Sequence, residues 1–120
     1  METSQRLIAE LNYFHGSTIL YKHWLGLKYT EGVKHLASGT SSYWFIDTIA
    51  SHQTKQFLSD NRLQEFQIWR LQVEDNSGNL ICELDTNQEV LRQEIEYTDF
   101  PLSEIKLYLV EKVLMLNNEY

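Results

Sequence analysis

Asp47 sits in the middle of the densest apolar run of the chain, Ser42 to Gln53. A carboxylate taken out of water has its pKa raised unless it is paired. Such groups gather at functional sites. Paired with His23, Asp47 would make an acid–base or small-ligand site. The plainer use of Asp47 is structural: a hydrogen bond from a Trp indole, a Tyr hydroxyl or a backbone amide, or exposure in the helix's first turns. The plainer use is favoured. His15, His23, His35 and His52 raise the question of a metal. Zinc sites usually draw two ligands from one helix or tight turn, as in HExxH or CxxC. These histidines stand 8, 12 and 17 residues apart, so no pair is local and no metal is expected. Cys82 has leucines at 80 and 84 on its own strand face and reads as a small core residue, not a nucleophile. Glu94 and Glu96 share one strand face, where paired carboxylates are ordinarily just solvated. No GxSxG, phosphate loop or GxGxxG occurs, so no cofactor is expected.

The aromatic side chains are the remaining resource: three Trp, seven Tyr and five Phe. Tyr21, Trp24, Tyr43, Trp44 and Trp69 would suit a groove or an interface, because such residues dominate binding hot spots. They would equally suit a core, and the core is the favoured reading.

The elements that must position these groups can be read in order. Ser4 to Phe14 predicts a helix with Leu7, Ile8 and Leu11 on one side and Ser4 as its cap; His15 to Ser17 ends it. Thr18 to Leu25 predicts a strand that Gly26 breaks, with a short return at Leu27 to Tyr29. Thr30 caps a short helix reaching Ala37, and residues 38–41 read as a break. The core helix follows and runs to about Leu58, with Tyr43, Ile46, Ala50 and Phe57 in one stripe and Trp44 beside Asp47. One more turn is expected at 61–65. From Phe66 the period changes to two. Strands are expected at 66–74, 79–85 and 91–97, the first two joined by a five-residue turn at 75–79 and the last two by a polar connection at 86–90. Pro101 makes a corner with Thr98 to Phe100. Residues 105–116 fit a helix or a hairpin turning at Glu111-Lys112, and the hairpin is chosen. The sum is an α+β fold in which an antiparallel sheet from the C-terminal half packs against N-terminal helices.

At 120 residues there is room for one domain, taken as 1–120. The single cysteine cannot form an internal disulfide, and no apolar run approaches the roughly 18 residues of a membrane span. Met1 to Arg6 is polar, without a basic stretch leading into an apolar core. A soluble cytoplasmic protein is the expectation. The net charge of −7 is uneven. Residues 1–70 carry seven basic and six acidic side chains, net +1, whereas 71–120 carry three and eleven, net −8. An acidic half repels phosphate, so direct nucleic-acid binding is not expected. One solvated acidic sheet face accounts for the asymmetry; the sharper alternative is a surface that mimics nucleic acid.

Tyr21-Lys22-His23, Tyr29 to Lys34, Tyr43 to Asp47, Glu65 to Trp69 and above all Glu94 to Leu102 resemble an uncharacterised bacterial domain family. The closing Leu116 to Tyr120 resembles that family's Leu-Pro-Ser-Glu-Tyr ending, with asparagines in place of the proline and serine. The resemblance spans about Leu11 to Tyr120. It implies a cytoplasmic single-domain protein of bacterial origin, common in cyanobacteria and often carried on phage or plasmid DNA. It brings no activity. It places any site near Tyr21, His23, Tyr43, Trp44, Asp47 and Asp99. Without a catalytic constellation, the expectation is a non-enzymatic accessory protein that binds a protein partner or a second copy of itself. The rival expectation is an enzyme or ligand binder built on Asp47 and His23.

Overall fold

A computed structural model describes residues 2–14, 19–84 and 88–120. In chain order they form α1 (Glu2–Leu11), β1 (Leu20–Lys22), β2 (Lys28–Thr30), α2 (Glu31–Thr40), α3 (Tyr43–Ser51), α4 (Lys55–Leu58), α5 (Asn61–Glu65), β3 (Gln67–Glu74), β4 (Ser77–Glu83), β5 (Glu89–Ile95), β6 (Glu104–Val110) and β7 (Val113–Leu116). The strands make one sheet in the order β1-β2-β7-β6-β3-β4-β5. Every neighbouring pair is antiparallel except β2 with β7. This is the expected α+β architecture, with one addition: an N-terminal hairpin extends the C-terminal sheet.

The register puts Trp69, Leu71, Leu80, Cys82, Leu107, Leu114 and Leu116 on one face. These join Leu36, Phe45, Ile46, Ile49, Phe57 and Leu63 from the helices in a single core. Trp69, Ile49 and Leu71 are fully buried. At about 25 cal/mol per Å² of apolar surface, this interlayer contact is the main force holding helices to sheet.

Several local expectations are corrected. α1 starts at Glu2, so Ser4 lies inside it and does not cap it, and Ile8 is exposed while Leu7 and Leu11 are buried. The predicted stop at His15 to Ser17 falls outside the described residues. β1 ends at Lys22, because Gly26 N–H turns back to the His23 carbonyl and His23 N–H to Leu27. Trp24 and Leu25 therefore sit on a turn. α2 runs through Gly39 to Thr40; Ser41, in the left-handed conformation at φ 54°, makes the stop. A glycine one residue from a helix end costs little of the roughly 1 kcal/mol it costs mid-helix. The core helix is shorter than expected. It ends at Ser51 because the Gln53 side-chain amide donates to the Ile49 carbonyl at 3.2 Å, the bond a continuing helix would take from the Gln53 backbone. Phe57 then belongs to α4.

The β3–β4 turn has two residues, not five. Asp75 (φ 52°) and Asn76 (φ 63°) both take the left-handed conformation that a tight hairpin requires, and Ser77 already pairs with Glu74. β5 begins at Glu89 and stops at Ile95, earlier than expected at both ends. Part of the polar connection before it, 85–87, falls outside the described residues. The hairpin at 105–116 is present, turning on Glu111 (φ 48°) and Lys112 (φ 69°).

The chain end closes the fold. Thr30 caps α2 by accepting the Val33 N–H at 3.2 Å, and its own hydroxyl donates to Glu119 Oε1 at 2.6 Å. The same oxygen accepts the Leu116 N–H at 3.0 Å. The Glu119 carboxylate thus lies buried at the positive end of α2, where a negative group is favoured. Gly32 leaves room for it: a Cβ there would stand 2.6 Å from Glu119 Oε1 and 2.7 Å from Leu116 Cδ1. One residue earlier, the Asn118 amide donates to the Leu11 carbonyl at 3.1 Å and closes the end of α1. The Tyr120 ring packs 5.3 Å from Phe66 and 5.5 Å from Tyr108.

Gly32→Ala is expected to cost about 1–3 kcal/mol in urea denaturation, the range for overpacking a tight site. Combined with Glu119→Ala, it is expected to cost clearly less than the two single changes together, because removing the carboxylate frees the space the new methyl needs.

Candidate functional site

Six residues were singled out by sequence, and the structure brings four of them to one surface. The β1–β2 turn carries His23. Its backbone N–H donates to Leu27 O at 2.8 Å, so the residue is fixed at the mouth of the hairpin. Asp47, on α3, reaches across to it: His23 Nε2 and Asp47 Oδ1 are 2.7 Å apart. The Leu25 N–H donates to His23 Nδ1 at 3.0 Å. A backbone N–H can only donate, so Nδ1 is the acceptor and Nε2 carries the proton that Asp47 receives. The imidazole is 6% exposed and the Asp47 side chain 55%.

Tyr21 and Tyr29 face each other across the hairpin, directly paired in register, with rings stacked at 5.6 Å. The Lys34 ammonium lies 4.4 Å from the Tyr21 ring centre, within cation–π range. Partial burial pushes the Tyr29 phenol up; Tyr43, Tyr21 and Asp47 push the same way and Lys34 opposes them. Tyr43, opening α3, is 42% exposed. Trp24 stacks on the His23 ring at 5.6 Å and is 80% exposed. Leu20, Leu25 and Ile19 are exposed along the same hairpin.

The other two candidates do not join this group. Trp44 is half-buried, its ring 5.8 Å from Phe45 and packed against the core. The expected contact with Asp47 gives way to the His23 bond. Asp99 is exposed in the corner before Pro101 and makes no hydrogen bond or ion pair with the hairpin residues among those described. The favoured reading of the aromatics as core is likewise corrected: of Tyr21, Trp24, Tyr43, Trp44 and Trp69, only Trp69 is buried. Tyr29 and Lys34 were not singled out. Tyr29 had one readable signal, its position opposite Tyr21 across a short hairpin; Lys34 had none.

The chemistry open to this arrangement is narrow. In a hydrolase triad one imidazole nitrogen faces the carboxylate and the other faces the nucleophile. Here the second nitrogen is taken by a backbone amide of its own turn. The dyad works as a brace that ties the hairpin to α3. Cys82 is fully buried on β4, and burial, followed by the Glu83 charge, pushes its thiol up to about 12. A thiol so protonated is no nucleophile near neutrality. Among the described residues no three of His, Cys, Asp or Glu come together as ligands of a metal would. His35 lies 3.6 Å from Glu10, and His52 stacks on Trp69 at 5.8 Å. His15 lies outside the described residues.

Two outcomes follow. His23→Ala removes both bonds and the stack under Trp24, and is expected to cost about 2 kcal/mol in urea denaturation, while Asp47→Asn keeps an acceptor for Nε2–H and is expected to cost under about 1 kcal/mol. Cys82 sets an alkaline dependence. Its thiol holds a proton in the folded state that the unfolded chain gives up, so stability falls as pH rises between about 9 and about 12. Cys82→Ala is expected to flatten that part of the pH–stability curve relative to the parent.

Among the described residues no helix is long and apolar enough to cross a membrane. No curated protein and no solved structure matches the chain. A family profile does match, over residues 5–120, nearly the full length. Three segments of the resemblance and its closing residues now have physical roles: Tyr29 to Lys34 and the closing Glu119 form the α2 clasp, and Tyr21 to His23 with Tyr43 to Asp47 form the braced hairpin. The chain belongs to DUF6876, a family of unknown function.

Proposed function

We propose that the protein is a non-enzymatic binding module that engages a protein partner through the β1–β2 turn and the first turns of α3. The single observation that carries this reading is Trp24: a tryptophan 80% exposed on a turn that is itself held rigid by His23 and Asp47. Tyrosine and tryptophan are the residues most often found at binding hot spots, and an anchor already fixed in place loses little freedom on binding. Asp47 supplies a negative group at one edge of the patch, while Lys34 over the Tyr21 ring, with Lys22 and Lys28 exposed on the hairpin, supplies positive ones. The complementary partner surface is therefore apolar at its centre and of mixed charge at its rim, with a cation opposite Asp47 and carboxylates opposite the lysines. A bacterial, cytoplasmic and mobile-element setting, which the sequence resemblance implies, suits an accessory protein of this kind.

The nucleic-acid-mimic alternative has less support. On the sheet, Glu83 is paired with Arg70 at 3.2 Å and Glu89 with Arg92 at 2.8 Å, so the acidic face is interleaved with cations and lacks an unbroken row of negative charge. The enzyme alternative needs an imidazole nitrogen free to meet a substrate, and both are engaged.

The test is affinity capture from source-cell lysate with the parent, Trp24→Ala, Tyr43→Ala and, as an exposed control elsewhere, Tyr97→Ala. The expected result is a stoichiometric partner captured by the parent and by Tyr97→Ala, reduced at least tenfold by the other two, and weakened by added salt. Capture indifferent to Trp24→Ala and Tyr43→Ala would sink the proposal, as would a parent that recovers background alone and stays monomeric by light scattering.

A further inference from the structure

On the far side of the 25–27 turn lies a cavity of about 140 Å³. It is walled by the end of α3, by α4 and α5, by the start of β3, by the end of β6 and by the β6–β7 turn, opens to solvent at one side, and has Leu25, Ala50, Leu58 and Leu109 among its apolar walls. An apolar cavity of about 150 Å³ is large enough to hold benzene. Left empty, such a space deprives its lining of packing contacts. It is too small for a stretch of polypeptide and matches a single ring.

Its polar side is made by three glutamines, Gln53, Gln64 and Gln67. Gln67 is saturated. Its oxygen accepts from Gln53 Nε2 at 3.0 Å and from Trp69 Nε1 at 2.9 Å, and its nitrogen donates to Gln53 Oε1 and to the Leu63 carbonyl, each at 2.9 Å. Gln53 spends both amide hydrogens, on Ile49 O and on Gln67. Its oxygen accepts one bond and has capacity for a second. Gln64 donates to Phe57 O at 3.0 Å, and its oxygen accepts nothing among the described residues. What this wall has left to offer a ligand is the acceptor sites of Gln53 and Gln64 and the second amide hydrogen of Gln64, and a hydroxyl, which donates and accepts at once, matches them. Charge narrows the choice. No carboxylate lines the cavity, which disfavours a cation. Lys112 lies at its rim and borders an adjoining hollow with Glu65 and Glu111, so the formal charge beside the mouth is two negative against one positive, which gives an anion no net attraction.

We infer that this cavity binds an uncharged, ring-sized apolar molecule bearing one hydroxyl, of which phenol is the simplest case. The inference does not rest on the partner reading: the cavity and the partner surface share the turn residues Leu25, Gly26 and Leu27, but Trp24 and Tyr43 do not line the cavity. Titration of the labelled protein with phenol, toluene and benzoate, followed by amide and methyl NMR, tests it. The expected result is saturable shifts at Ala50 and Gln53 with phenol, at an affinity equal to or better than that of toluene although phenol is the better hydrated, and binding by benzoate at least tenfold weaker. Leu58→Trp narrows the mouth from a position 49% exposed, where the fold tolerates the change, and is expected to weaken phenol at least tenfold. Ala50→Leu fills the space from inside and is expected to do the same, with folding checked by the unfolding midpoint. Shifts that do not saturate, toluene binding tenfold tighter than phenol, or benzoate binding as well as phenol would overturn it. So would unchanged phenol affinity in either variant with its fold intact.

Discussion

The carboxylate of Glu119 beneath the first turn of α2 is the contact on which the arrangement of the rest depends. It joins positions 89 residues apart and ties three things at once: the cap of α2, the backbone leaving β7 and the chain terminus. Its second oxygen, Oε2, is buried without a hydrogen bond among the described residues. An uncompensated buried acceptor costs about 1–3 kcal/mol. The partial positive charge at the start of a helix offsets part of that, and does so only if the oxygen stays within the first turn. The geometry is therefore tightly specified. Gly32 is part of it, since no side chain fits between the carboxylate and the helix.

That contact settles where the N-terminal hairpin goes. β2 runs directly into α2 through Thr30, so fixing the start of α2 against the end of β7 lays β2 alongside β7, the one parallel pair in the sheet. Lys28 N–H completes the junction by donating to Lys112 O at 2.8 Å. The hairpin then projects β1 as an edge strand and brings the 23–27 turn beside α3. A three-residue edge strand has too few ladder bonds to hold a turn by itself. His23 and Asp47 supply the missing constraint from the helix layer. The polar groups that looked like chemistry are thereby consumed in joining elements that would otherwise part. The same holds at the other end of α3, where Gln53, Gln67 and the Trp69 indole satisfy one another inside the core.

What could be read from the residues, and what could not, follows from the range of the interactions. Strand period, the Glu111-Lys112 turn and the cap at Thr30 are set by neighbours in sequence, and all three were legible. The length of the core helix was not. Its apolar stripe continues to Phe57, and the interruption comes where the Gln53 side chain takes the Ile49 carbonyl, a side chain also tied to Gln67, 14 residues away in a strand. The five-residue turn was overestimated because Ser77, Gly78 and Asn79 are turn formers by type, while Asp75 and Asn76 alone meet the need for two left-handed residues. Asp47 and His23 were each noticed, but their separation of 24 residues carries no local pattern. The Glu119 clasp was legible only as a likeness of short words at two ends of the chain, whose physical connection no periodicity reveals.

An exposed tryptophan is ordinarily a liability, since it offers a large apolar face to any chance partner. A mobile turn could fold such a ring against its own surface. Here the turn is prevented from doing so: one face of Trp24 rests on an imidazole that is hydrogen-bonded at both nitrogens, and the ring remains outward. The His23–Asp47 bond that braces the hairpin to α3 thus also holds the aromatic ring outward. For the partner proposed above, a ring already held in place would lower the entropic cost of association. The two residues that read as an acid and a base from their types serve here as a brace beneath that ring, with Nδ1 occupied by the Leu25 N–H and Nε2 by Asp47.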